Sequence, residues 1–285
     1  MMNSLVDFFS DTPLWFRLTM LLGGIAFFWI IEMIIPLFTI PYRKIRHAGL
    51  NLFFNGTTAL INLGLASLLV GSSVFVTNHE IGVLYLFEAP LWVKTILCVL
   101  LMDLIGAWFI HWLEHQIKWM WLFHLIHHTD THVDVTTGLR HHPGESIFRM
   151  SFTILGVIIT GAPIWMLMIY QSLSALFTHF NHANISLPDK LDRLLSWVFV
   201  TPNMHKVHHH YTQPLTDTNY GNMFSIWDRV FGTFAQVEDS RDLIYGIDTH
   251  TKPSENDNLG NLLAIPFQKY RPPTGKFVKE EKKEN

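Results

Sequence analysis

Seventeen of the 285 residues are histidine, and 14 of these fall between His111 and His210; only His47, His79 and His250 stand apart. They come in tight patterns: HWLEH (His111, His115), HLIHH (His124, His127, His128), HFNH (His179, His182) and HKVHHH (His205, His208, His209, His210). On a helix, positions i and i+4 lie about 40° apart and i+3 about 60° to the other side. His111 and His115 therefore share a face, as do His124, His127 and His128, and again His205, His208 and His209. His210 points about 140° from His205 and drops out. Neutral imidazole is a ligand for Fe, Zn, Cu and Ni. Three such faces plus HFNH offer ten candidate nitrogens, too many for one tetrahedral site and a match for two ions at about five each. A single i, i+4 pair would read as ordinary helix surface. These histidines instead neighbour Trp108, Trp112, Trp119, Trp121 and Phe123.

The elements that must position them are apolar. Hydrophobic residues make up 49% of the chain and charged residues 15%, against roughly a quarter charged in soluble domains. Four stretches are long enough for the roughly 20 residues that cross a hydrocarbon core. They are Leu14 to Phe38 (interrupted by Arg17 and Glu32), Leu50 to Thr77, Leu91 to about Trp112 (with Lys94 and Asp103), and Ile147 to Phe180. The first lacks the basic start and small-residue cleavage pattern of a signal peptide. Arg43, Lys44 and Arg46 follow it and predict a cytoplasmic loop. The loop from Asn78 to Pro90, with Glu80 and Glu88 but no Lys or Arg, fits the opposite side.

Histidines at 111–128 and 205–209 can share metals only on one side of the membrane, so Ile147–Phe180 must cross an even number of times. Gly161-Ala162-Pro163 near its middle permits a sharp turn. This predicts a hairpin of two short helices, each of about 15 residues and some 22 Å, that need not reach the far face. The expected fold is thus an all-α integral membrane protein with about four inserted segments, three spans plus a helical hairpin. A cytoplasmic helical cap holds a His-rich dinuclear metal site. Residues 1–102 form the membrane spans, 103–235 the catalytic domain and 236–285 a soluble tail ending in the Lys/Glu-rich stretch Lys276 to Asn285. One cysteine, Cys98, excludes a disulfide framework and any Cys-held cluster, and a net charge of −3 gives a nucleic-acid partner no electrostatic footprint.

Taken with TGLRHHPGE (Thr137–Glu145), HANISLP (His182–Pro188) and DTNYGNMFSIWDRVFGTF (Asp217–Phe234), the HxxxH, HxxHH and HxxHH series resembles the fatty acid hydroxylase/sterol desaturase superfamily from roughly Asp103 to Phe234. The resemblance implies a non-haem centre of two irons, with zinc as a possible substitute, that uses O2 to oxidise a lipid C–H bond. It implies that the eight histidines of the three clusters are metal ligands, with His182 and His179 completing the set. Asp217 and Asp228 lie in the matching segments and are expected to orient ligand rings. Asn219 stands between them, and Arg140, His142 and Glu145 are expected at the edge of the site. His132 and His141 are further candidates there, and Glu114, Asp130 and Asp134 further ring acceptors. Asp103, a carboxylate inside a span, is expected to be functional or structural rather than idle. His142-Pro143-Gly144 is similar to the haem-binding HPGG of cytochrome b5 domains, but Glu145 replaces the second glycine.

The leading expectation is a lipid hydroxylase, or a desaturase. Alkylglycerol (ether lipid) monooxygenase and a non-redox zinc or metal-binding membrane protein are the alternatives. Transport would spread ionisable residues along several spans, whereas here they gather after the third. No haem, flavin or cysteine-cluster motif supplies electrons, so a separate ferredoxin, cytochrome or reductase is expected, with substrate entering from the bilayer. The setting is a bacterial inner membrane, or the ER membrane in a eukaryote, where Lys282-Lys283 would read as a retrieval signal.

Overall fold

The computed structural model describes residues 2–39 and 41–275. Among them the regular structure is helical, with isolated β-bridges such as Pro36 to Ile185 and no strand. The tail Lys276–Asn285, Lys282-Lys283 included, lies outside the described residues.

Helix α1 (Met2–Ser10) precedes α2 (Leu14–Ile34), which begins after Pro13, passes through a π-helical stretch at Thr19–Gly23 and stops short of Pro36. Helix α3 (Lys44–Asn78) has 35 residues, about 52 Å at 1.5 Å per residue and so longer than a bilayer core of about 30 Å. Pro90 caps α4 (Leu91–Gln116), whose Leu104–Phe109 segment is π-helical. Among the described residues three runs are long and apolar enough to cross a membrane: Leu14–Ile34, Lys44–Tyr85 and Leu91–Gln116. Their outer faces fit lipid: Leu60 and Leu63 on α3 are 71% and 74% exposed, a display that a water-facing surface would pay for in solubility.

Helix α5 (Lys118–His128) is followed by the hairpin α6 (Pro143–Thr160) and α7 (Ile164–His182). Pro143 sits in the first turn of α6 with His142 as its N-cap, accepting from Gly144 N at 2.9 Å. Gly161 closes α6 at φ 77°, and Pro163 caps α7. With 18 and 19 residues, these helices exceed the 15 or so expected. The reason lies at the tip. A Cβ on Gly161 would stand 2.3 Å from the Ile81 carbonyl oxygen, and one on Gly82 (φ 114°) 2.3 Å from Gly161 N. Backbone meets backbone, so the hairpin runs as far as the loop joining α3 to α4.

One core packs these helices together through Leu69, Val76, Met102, Val157, Met166 and Leu167, with Val6 and Phe9 of α1 added at the tip end. At the opposite end a cap is built from α5, α8 (Asp189–Leu195), α9 (Pro202–His208), α10 (Ile226–Val230) and irregular segments. Leu125 and Ile126 of α5 pack with Phe54, Leu262 and Ile265, while Val133 and Val207 pack with Leu215, Leu243 and Tyr245. The stretch after residue 235 therefore contributes buried side chains to the cap.

Candidate metal centre

Four helix ends deliver the histidines. His111 and His115 lie on the last turns of α4, His124, His127 and His128 on α5, and His182 ends α7. His205 and His208 sit on α9, and His209 is its C-cap. They fall into two sets within which ligand atoms lie within 4.8 Å of one another: His111, His115, His124, His128 and His208; and His127, His182, His205 and His209. All are buried except His115, which is partly so. The sets are adjacent, with the His128 and His209 rings stacked at 4.9 Å.

The rings aim their Nε2 atoms inward. His111 Nε2 is 3.0 Å from His124 Nε2, and His128 Nε2 is 3.2 Å from the same atom. In the second set His182 Nε2 lies 3.2 Å from His127 Nε2 and 3.0 Å from His205 Nε2. Outer nitrogens are fixed by acceptors. His111 Nδ1 donates to Tyr220 O (2.8 Å), His208 Nδ1 to Thr218 O (2.7 Å) and His182 Nδ1 to Thr178 O (2.8 Å). His115 Nδ1 donates to Asp217 (3.0 Å) and His124 Nδ1 to Glu145 (2.9 Å). A carbonyl can only accept, so these rings carry their proton outside and present a lone pair inside.

This arrangement fits metal. Nitrogens about 2.1 Å from one ion stand about 3.0 Å apart at a right angle and about 3.4 Å apart at the tetrahedral angle, which brackets the observed spacings. Without an ion the lone pairs face one another, and the buried His115 Nε2, His208 Nε2 and both His209 nitrogens have no partner. Burial holds His124 down to about 3 despite the Glu145 carboxylate. Desolvation, reinforced by neighbouring imidazoles, keeps His127, His128, His205, His208 and His209 well below an ordinary histidine. Neutral imidazoles are the form a cation binds.

His179 is brought into neither set. It lies along α7 with its ring against Gly24, where a Cβ would approach to 2.7 Å, and neither ring nitrogen has a hydrogen bond from a side chain. His141 is closer to the site: its ring stacks on His127 at 4.5 Å, and with His124 and Glu145 it forms a third close group. The doublet His141-His142 is the sequence signal for it. His132 stacks on Tyr42 at 4.7 Å instead.

The carboxylates divide by task. Glu145 accepts from His124, His141 (2.9 Å) and Arg149 (2.8 Å), and Arg149 also holds Glu114 at 2.6 Å. Asp228 accepts from Trp108 Nε1, Tyr220 N, Gly221 N and Thr233 Oγ1, and so fixes the Tyr220 peptide that receives His111. Asp103 accepts from Met223 N, Phe224 N and Trp227 Nε1 at 3.1–3.3 Å, clamping that loop to α4. Asn219, at φ 53°, ties Met204 O to the Ala235 backbone. Buried Arg140 binds Ile126 O and Thr129 Oγ1 at the end of α5, and Asn256 O beyond them. Asp130 receives His47 (2.8 Å) and Asp134 receives Tyr42 (2.5 Å).

Two supports have no local signal. Glu32, in the first apolar run, accepts from Val135 N (2.7 Å), Asn184 N (2.8 Å) and Lys44 Nζ (2.8 Å). Lys206 is fully buried between two ligand candidates and donates to His182 O and Ala183 O; burial pulls its ammonium down to about 7. Beside the imidazoles a cavity of about 390 Å³ extends between α3, α4, α6 and α7, reached by His111, His124, His127, His182 and His205.

In comparison with known proteins, residues 95–233 match the family model Fatty acid hydroxylase. Ornithine lipid hydroxylase of Rhizobium tropici is 29% identical over 45% of this chain and 38% of its own length. Alkylglycerol monooxygenase of Caenorhabditis elegans is 29% identical over 55% of this chain and 29% of its own. A cholesterol 25-hydroxylase-like protein of Danio rerio is 27% identical over 52% of this chain and 60% of its own. The chain thus spans about a third of the length of the first two. No solved structure matches it.

Proposed function

We propose that this membrane protein, whose residues 95–233 match the fatty acid hydroxylase family model, is a non-haem di-iron oxidoreductase that uses O2 to hydroxylate a C–H bond of a lipid. The observation that carries the reading is the convergence of nine imidazoles, buried or nearly so, into two adjacent sets of five and four. His111, His115, His124, His128 and His208 would hold one ion, and His127, His182, His205 and His209 the other. When bound, the pair supplies activation of O2 for oxidation of an unactivated C–H bond. Nitrogen ligands suit iron, and a set short of six donors leaves room for a further ligand.

The chain's own part is positional. Glu145, Asp217 and the carbonyls of Thr178, Thr218 and Tyr220 lock the rings so that no reorientation accompanies turnover. Arg149 pairs with both Glu114 and Glu145. The walls that α3, α4, α6 and α7 give the cavity separate it from the aqueous cap and admit a lipid from the bilayer. In this reading 103–235 is the catalytic unit, and the site faces the cytoplasm of a bacterial inner membrane or, in a eukaryote, of the ER. Electrons come from a separate ferredoxin, cytochrome or reductase.

Ether-lipid cleavage is the second reading, favoured by the similarity to alkylglycerol monooxygenase. Metal analysis of the purified full-length chain, with O2 uptake in the presence of lipid, tests the proposal. About two irons per chain and lipid-dependent uptake are expected, and His127→Ala or His208→Ala should abolish product. Zinc with no O2 dependence would replace the oxidase by a hydrolase or a metal store. Unaltered turnover in either variant would remove the metal assignment.

A further inference from the structure

The cavity beside the imidazoles carries more polarity than an acyl chain needs, and most of it is committed. Thr58 Oγ1 donates to His141 O (3.4 Å) and Thr153 Oγ1 to Arg149 O (2.9 Å). Thr178 Oγ1 donates to Asn222 Oδ1 (3.0 Å), and Asn222 Nδ2 donates to Ser174 Oγ (2.9 Å). Arg149 is held by Glu114 and Glu145. Close to the imidazoles, Ser146 Oγ is buried without a partner. Farther along the wall, Asn62 of α3 and Gln171 of α7 are half-buried and make no hydrogen bond.

Asn62 sits among lipid-facing neighbours, with Leu60 and Leu63 exposed on the outside of α3, while Gln171 follows buried Tyr170 on α7. An unpaired amide at hydrocarbon depth is costly, and it favours any molecule that brings a partner. Asn62 stands one turn beyond Thr58, about 6 Å farther from the metal end. Gln171 precedes Thr178 by two turns, about 10 Å. The space is small. At about 30 Å³ per water-sized group, 390 Å³ takes roughly 13 heavy atoms. A head region and its first few carbons fit; a whole long chain does not, and its remainder must extend into lipid.

We propose that Asn62 and Gln171 hydrogen-bond the hydroxyl, ether or amide group of a polar-headed lipid, so that the carbon presented to the metal end lies within about 10 Å of that group. The two amides set specificity against plain hydrocarbon. This rests on the cavity being the lipid site of the reading above. A binding assay without turnover lets the two fail separately.

The test is equilibrium binding of tritiated 1-O-hexadecylglycerol and of tritiated hexadecane to the full-length chain in detergent micelles. Wild type should favour the glycerol ether by about 10-fold or more, as two hydrogen bonds allow. The double variant Asn62→Leu, Gln171→Leu should lose about 10-fold for the ether with hexadecane unchanged. Asn62→Gln, which keeps the amide, should stay within about 3-fold of wild type. Metal content per chain equal to wild type shows that the variants are folded. Discrimination that persists in a protein without oxidase activity supports this inference and overturns the oxygenase reading instead. Equal binding of the two probes by wild type, or ether binding untouched by the leucine pair, overturns the specificity role.

Discussion

Acidifying the metal-free protein from pH 7.5 to 5.5 should destabilise it by an amount that the buried imidazoles set. An unfolded histidine titrates near 6.5, whereas burial holds His124 down to about 3. Between those values the unfolded chain binds the proton and the folded chain does not. The stability is therefore complete above about 6.5 and is lost as pH falls through the window. Over these two units one such residue contributes RT ln(11/1.1), about 1.4 kcal/mol. His127, His128, His205, His208 and His209 are displaced in the same direction by the same cause, so their contributions add. Lys206, held down to about 7, acts with them. Asp228, which burial pushes up to about 6, acts the other way by about 0.8 kcal/mol, less than one histidine returns. Thermal unfolding of chelator-treated full-length chain in micelles at pH 7.5, 6.5 and 5.5 measures the net effect. His124 alone accounts for a fall of about 3–6 °C in Tm, and the other rings act in the same direction. Ferrous or zinc ion should restore the midpoint, because it binds only the folded state. A melting curve that is unmoved or raised at pH 5.5 would refute the picture of neutral, buried rings.

Two substitutions separate supports from ligands. Arg149→Met leaves the buried carboxylates of Glu114 and Glu145 without their cation; a loss of about 3 kcal/mol or more is expected in denaturant unfolding, and a change below about 1 kcal/mol would mean that both carboxyls are already neutral. His179→Ala should leave metal content per chain at the wild-type level, since His179 belongs to neither imidazole set, whereas His205→Ala should lower it; equal losses in the two would return His179 to the ligand shell.

The imidazole faces were legible in the sequence because i, i+3 and i+4 spacing is a local property that survives any tertiary arrangement. His111 with His115, the α5 triplet and the α9 triplet all converge as their helical angles require. The hairpin was legible too, from Gly161 and Pro163. What the sequence did not disclose depends on partners far along the chain. Glu32 accepts from backbone 103 and 152 residues away. Gly82 and Gly161 make room for each other from separate loops, and that mutual approach sets the length of the hairpin. The π-helical run Leu104–Phe109 breaks the 3.6-residue period just before His111, and no residue type announces it. Asn62 and Gln171 look like ordinary polar interruptions until the cavity between α3 and α7 is seen.

These distant partners have a common cause. Two ligand-bearing helix ends, those of α5 and α7, run into irregular backbone at residues 129–136 and 183–188, next to the apolar runs. Backbone there cannot rely on water and must find donors and acceptors within the protein. The first two long helices provide them: Glu32 binds Val135 N and Asn184 N, Asn51 donates to Thr136 Oγ1 at 2.9 Å, and His47 pairs with Asp130. Lys44 then balances the Glu32 charge at 2.8 Å. The polar residues that interrupt the N-terminal apolar runs are thus the hydrogen-bonding complement of the loops behind His128 and His182. Removing α2 would leave those loops with unpaired backbone N–H groups at the foot of the imidazole sets, so the early helices set the geometry of the centre although they contribute none of its rings.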